Sequence, residues 1–144
     1  MPYPSTQPIA ITASTTLNRN THAGTVINLS AAAGLTITLP ASAGTGDMYR
    51  FFVLTTVTSN NDIIKVANST DVIQGTVDIG AAGGFAGVTA GTTTTSDTIT
   101  MNGTTTGGII GSYIELTDAS TGFWQLSGGL IASGTVASPF SATV

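Results

Sequence analysis

Every stretch of this chain long enough to build a helix is interrupted by glycine or by β-branched residues, which removes most helical folds from consideration. The best helix-compatible fragment, Ala31-Ala32-Ala33, is too short to stand alone. Threonine takes the place of helix-forming sequence, with 28 of 144 residues, alongside 18 glycines. A side chain that is stiff at χ1 fits the half-exposed face of a pleated sheet, so the composition points to β structure.

The pattern along the chain agrees. Prolines at positions 2, 4 and 8 leave the first residues short of backbone donors, and they are expected to form an extended arm. Strand-like sequence begins at Ile9 and continues in two short runs, 25–29 and 35–39, separated by a small-residue turn over 30–34. In the second run Leu35, Ile37 and Leu39 alternate with Thr36 and Thr38, and Pro40 ends the ladder. The apolar, aromatic stretch 49–57 reads as a central strand covered on both faces. Ser59-Asn60-Asn61-Asp62 has turn chemistry, and Ile63 to Val66 returns as a strand.

Further on, 71–73 and 76–79 predict two short strands with a kink or turn at Gly75, and 80–91 reads as a loop with a strand fragment. Residues 97–101 alternate, and Asn102-Gly103 predicts a type I′ hairpin turn with 104–106 starting the return strand. Residues 109–117 and 123–126 predict a strand pair around the turn 118–122. Short strands recurring with turn signals imply an all-β fold, a single small β-sandwich or β-barrel domain with extended N- and C-terminal arms. The expected divisions are an arm over 1–8, the domain over 9–130 and a C-terminal extension over 131–144.

Only 7% of residues are charged, with Arg19, Arg50 and Lys65 against six aspartates and Glu115, for a net charge of −4. Three scattered cations cannot neutralise a phosphate backbone or an anionic bilayer, so neither nucleic acid nor membrane is an expected partner. No run of about 18 apolar residues occurs, and the first residues lack the basic start and apolar core of a secretory signal. There is no cysteine, which excludes disulfides and thiolate metal ligands.

Candidate chemistry is sparse. Nucleophilic catalysis needs a base, and the single imidazole, His22, lies in a polar, turn-like neighbourhood where a solvent-facing turn histidine is expected. Asp62, Asp71, Asp78, Asp97, Glu115 and Asp118 could in principle pair for glycosidase work, but nearly all fall at predicted turns or strand ends, where aspartate serves the backbone. Gly83-Gly84 and Gly107-Gly108 do not continue into a phosphate-binding loop. Phe51 and Phe52 read as core, while Trp124 is balanced between core and a carbohydrate-stacking surface. The expectation is therefore a non-enzymatic protein with no catalytic residue, metal or cofactor.

Several segments carry a family resemblance. The series Leu35-Thr36-Ile37-Thr38-Leu39-Pro40, Gly44-Thr45-Gly46-Asp47, Tyr49-Arg50-Phe51 and Thr55-Thr56-Val57-Thr58-Ser59-Asn60 resembles small β-rich virion proteins of tailed bacteriophages. So do Ser96 to Gly103, Gly107-Gly108, Gly111-Ser112-Tyr113, the Trp124 strand and the tail from Gly134-Thr135 through Ala142, so that the likeness spans roughly residues 10 to 142. These are head decoration, or cement, proteins and modules of fibre-like virion proteins. The resemblance implies a structural protein of the capsid exterior, made in the bacterial host cytoplasm, that binds the major capsid protein and further copies of itself, commonly as a homotrimer. Its motifs are turns and strands, so it transfers no functional residue. The candidate partner contacts are Tyr3, Pro4, Ile9 and Phe140, in or beside the expected arms. The competing expectations are a receptor- or glycan-binding module of a tail fibre or spike and, on scattered carboxylates alone, a hydrolase.

Overall fold

Alternation of side chains across the pleat organises the molecule: Leu35, Ile37 and Leu39 are buried while Thr36 and Thr38 between them are half-exposed. The computed structural model describes residues 7–84 and 86–144. Their strands are β1 (Ile9–Ile11), β2 (Thr15–Thr16), β3 (Val26–Leu29), β4 (Thr36–Thr38), β5 (Met48–Val53), β6 (Asp62–Lys65), β7 (Val72–Ala81), β8 (Gly87–Gly91), β9 (Thr98–Met101), β10 (Tyr113–Ser120), β11 (Phe123–Ala132) and β12 (Phe140–Ser141). One short helix, α1 (Arg19–His22), is capped by Asn18, whose side chain accepts from the Thr21 N–H at 2.9 Å.

The strands form two mixed sheets packed face to face, an all-β, sandwich-like arrangement. The larger has the order β1-β3-β5-β10-β11-β7-β8 and the smaller β12-β9-β6-β4-β2. Successive strands from β1 to β6 alternate between the sheets, so that β1, β3 and β5 lie parallel in one and β2, β4 and β6 parallel in the other. Parallel neighbours need a long crossover, usually helical. Here the opposite sheet's strand is the crossover, so both layers and the core between them are laid down together. Ile9, Ile27, Phe51 and Ile114 make one cross-strand row of the larger sheet, and Ile37, Ile64, Ile99 and Phe140 make one of the smaller. All eight belong to or pack against a single apolar cluster.

The runs 25–29 and 35–39 are strands as expected, β3 and β4, and the turn between them carries the chain from one sheet to the other. Several expectations need correction. The predicted central strand is interior, but it ends at Val53 and only its inward face is fully covered, since Met48 and Arg50 are exposed and Phe52 half-buried. Residues 71–73 and 76–79 are one strand, β7, which absorbs Gly75 at φ +151°, where any side chain would run into the Leu126 carbonyl. Asn102-Gly103 makes no hairpin. The Asn102 carboxamide oxygen accepts the N–H groups of Thr104 at 2.9 Å and Thr106 at 3.1 Å, taking donors that a return strand would need, and β9 pairs with β6 and β12 instead.

The expected C-terminal extension is part of the domain. Strand β11 runs past position 130 to Ala132, β12 adds to β9, and the Asp97 carboxylate accepts the N–H groups of Thr143 and Val144 at 2.8 and 3.2 Å. The pairing of β10 with β11 is as expected, with Leu116 opposite Leu126, but the first strand starts at Tyr113 and runs on to Ser120, so the turn is shorter than 118–122 and a bulge adjoins it.

Candidate functional site

Because side chains alternate, the residues between the inward rows emerge on the outer face of the larger sheet. On β3, β5 and β10 these are Val26, Arg50, Phe52, Tyr113 and Glu115, which line a shallow depression of about 430 Å³. Two cross-strand rows build it. In one, Asn28, Phe52, Tyr113 and Gly129 lie side by side; in the next, Val26, Arg50, Glu115 and Ser127. Gly129 has no side chain to lift the neighbouring ring, and Tyr113 lies across it, 44% exposed. Arg50 and Glu115 form an ion pair directly across the strands, so the depression is locally neutral. Exposed Met48 extends the apolar surface beyond Arg50. An aromatic and apolar surface interrupted by one neutralised pair is suited to contact through area, aromatic stacking and a few directed hydrogen bonds.

Of the carboxylates weighed for catalysis only Glu115 lines this depression, where Arg50 neutralises it; the aspartates sit elsewhere and bond to the backbone or to hydroxyls. Asp118 accepts from the N–H groups of Ala43, Gly44 and Thr45 and from the Thr45 hydroxyl, tying the 41–46 loop to the end of β10. Burial pushes its carboxyl up, but those donors outweigh it and hold the group below the ordinary aspartate value. Asp97 is also lowered: burial opposes, while the Thr98 hydroxyl and the N–H groups of Thr143 and Val144 prevail. Asp71 accepts the Ser42 N–H at 2.8 Å, and Asp78 accepts the Thr89 hydroxyl at 2.6 Å. Asp62 is 1% exposed; it takes the Leu35 N–H on one oxygen while the other has no partner, and burial raises its pKa to about 6. Among the described residues no group of three or more acids and histidines could hold a metal ion. No helix of the described residues is long and apolar enough to cross a membrane.

His22 is not the expected solvent-facing residue. It is 8% exposed, and its Nδ1 lies 3.1 Å from the backbone nitrogen of Asn18. Helix α1 closes on itself through this contact, which turn-like polarity in the sequence could not reveal. Trp124 is buried core, edge-on to Tyr49 with ring centroids 5.6 Å apart. Phe51 is core as expected, but Phe52 belongs to the outer face. Its parity with the exposed Arg50 was the available signal, hidden by the apolar run around it.

Of the candidate partner contacts, Tyr3 and Pro4 lie outside the described residues. Ile9 and Phe140 occupy strands β1 and β12, each half-buried against the core. Neither Ile9 nor Phe140 joins the depression around Tyr113, which sequence reasoning missed because it arises from three strands distant in the chain. No family model, curated protein or solved structure matches this chain.

Proposed function

We propose that this chain is a structural virion protein that binds the outer surface of a tailed-phage capsid and braces the head lattice, as a decoration or cement protein. Its partners in this reading are the major capsid protein and further copies of itself, commonly three, on the capsid exterior after synthesis in the host cytoplasm. The observation that carries it is the pairing of an apolar outer surface, Val26, Met48, Phe52 and Tyr113, with buried aspartates that serve loops. Such a chain works by contact area. The segments resembling phage virion proteins give that contact its setting. Cryo-electron microscopy of the parent virion is expected to find the chain on the head in lattice stoichiometry; occurrence only on tail structures would overturn the assignment.

A second reading has its own observation. The Tyr113 ring, presented over Gly129 beside Asn28 and the Arg50–Glu115 pair, has the chemistry of a saccharide shelf, with an aromatic face for C–H groups and polar groups for hydroxyls. A glycan-binding module of a fibre or spike would bind on an array and lose that signal in Tyr113→Ala. An empty array counts for the capsid reading.

A further inference from the structure

The two edges of the larger sheet are built differently. At β1 the Ile11 carbonyl accepts the Ser30 N–H, so the odd-numbered residues direct their backbone groups toward β3 and Ala10 faces outward. The preceding residue of that outward set is Pro8, which has no N–H to offer. This edge is blunted by proline.

At β8 no described residue does so. The Ala86 carbonyl accepts the Ala81 N–H and the Thr92 N–H donates to the Gly75 carbonyl, so even-numbered residues face β7. Gly87, Thr89 and Gly91 therefore present their N–H and C=O groups to the open edge. The strand carries no charge and no proline, and it is longer than the other edge strands, β1 (three residues), β2 and β12 (two each). Its second open feature is Val88. That residue is paired with the fully buried Ile79 and shares its face, yet is 53% exposed, so the smaller sheet stops short of it.

The segment 1–8 fits this edge. Its prolines, 2, 4 and 8, all fall at even positions, so Tyr3, Ser5 and Gln7 keep their donors and acceptors on one side of an extended strand. We infer that this segment adds, as an antiparallel strand, to the β8 edge of another copy of the chain. Tyr3, Ser5 and Gln7 face Gly91, Thr89 and Gly87 in turn, and the even-numbered residues, Pro4 among them, cover the side left open at Val88. Neither the segment nor β8 itself carries a charged side chain, and Asp78, bonded to the Thr89 hydroxyl on the face opposite Val88, is exposed to solvent. The donor must come from a second copy. In the sheet β1 and β8 are separated by six strand spacings, roughly 29 Å at about 4.8 Å each, whereas no more than about 22 Å of chain separates Tyr3 from Ile9. A donor at one edge and an acceptor at the other make a head-to-tail contact, which closes into a ring or propagates. The inference is independent of the capsid reading.

The test is sedimentation of the full chain together with two variants. The parent chain is expected to sediment as an oligomer. Deletion of residues 1–6, and separately Thr89→Pro, which removes one outward N–H, are each expected to give a monomer that melts within a few degrees of the parent. Because the chain has no cysteine, Ser5→Cys chains mixed with Thr89→Cys chains are expected to cross-link through a short bismaleimide, giving a covalent dimer that neither variant gives alone. A monomeric parent chain, an oligomer that survives the deletion, or no cross-link in the mixture would overturn the inference.

Discussion

The ring of Tyr113 lies across Gly129: a methyl group at that position would come within 2.7 Å of the ring's Cε1. The neighbouring Gly128 faces the other way, and a methyl group there would lie 2.6 Å from the Tyr113 carbonyl oxygen and against Ile114 and Val77. Two adjacent glycines thus serve opposite faces of one strand. Gly129→Ala is expected to cost less than about 1 kcal/mol, because a half-exposed ring can swing aside. Gly128→Ala is expected to cost about 1–3 kcal/mol or more, because backbone must move. Denaturant midpoints should rank the parent chain and Gly129→Ala together, well above Gly128→Ala. Under the capsid reading Gly129→Ala also weakens attachment, since it displaces the central ring of the contact surface.

Asp118 holds the 41–46 loop through several donors at once. Asp118→Ala leaves them unpaired and is expected to destabilise the chain by about 3 kcal/mol, read by chemical denaturation. Limited proteolysis should cut first between residues 41 and 47 in this variant.

Acid should unfold the chain partly through Asp97 and Asp118. Both carboxyls are held below their ordinary value of 3.8 in the folded state. Their contribution is therefore present above that value and is lost as pH falls through the lowered, folded-state one. Denaturation curves collected from pH 5 down to pH 2 should show the midpoint falling, and more shallowly in Asp118→Asn.

Asp62 acts with the opposite sign. Its folded-state pKa, raised by burial from 3.8 to about 6, means that the folded chain favours the protonated acid. The associated stability is present below pH 4 and is lost as pH rises through about 6. At pH 8 the penalty is about 3 kcal/mol, taking 1.36 kcal/mol for each pH unit between the two values. Asp62→Asn should therefore match the parent chain near pH 4 and exceed it at pH 8. Equal stability at both values would show that the carboxylate is solvated.

Trp124 is fully buried, and its indole nitrogen has no hydrogen-bond partner. Trp124→Ala is expected to cost about 3–5 kcal/mol. Trp124→Phe should cost well under half of that, because it keeps a ring beside Tyr49 and removes a donor that burial leaves unpaired. Native fluorescence of this single tryptophan should be blue-shifted and move red on unfolding.

What the sequence determined by itself was the class of structure and its local grammar. Threonine and glycine content argued against long helices, alternation at 35–39 assigned its inward and outward residues, and the turn residues after 117 announced the β10–β11 hairpin. These are properties of a few adjacent residues, set by φ/ψ preferences and by the two-residue period of the pleat. Tertiary structure alone decided which strands became neighbours: Ile27 meets Phe51, Phe51 meets Ile114, and Ile37 meets Ile64 across long intervals of chain. Such pairings depend on how two distant apolar faces fill a shared core, which no local window contains. The same packing buried His22, put Phe52 outside beside Tyr113, replaced the Asn102-Gly103 hairpin with a side-chain-closed loop, and left β8 at an open edge.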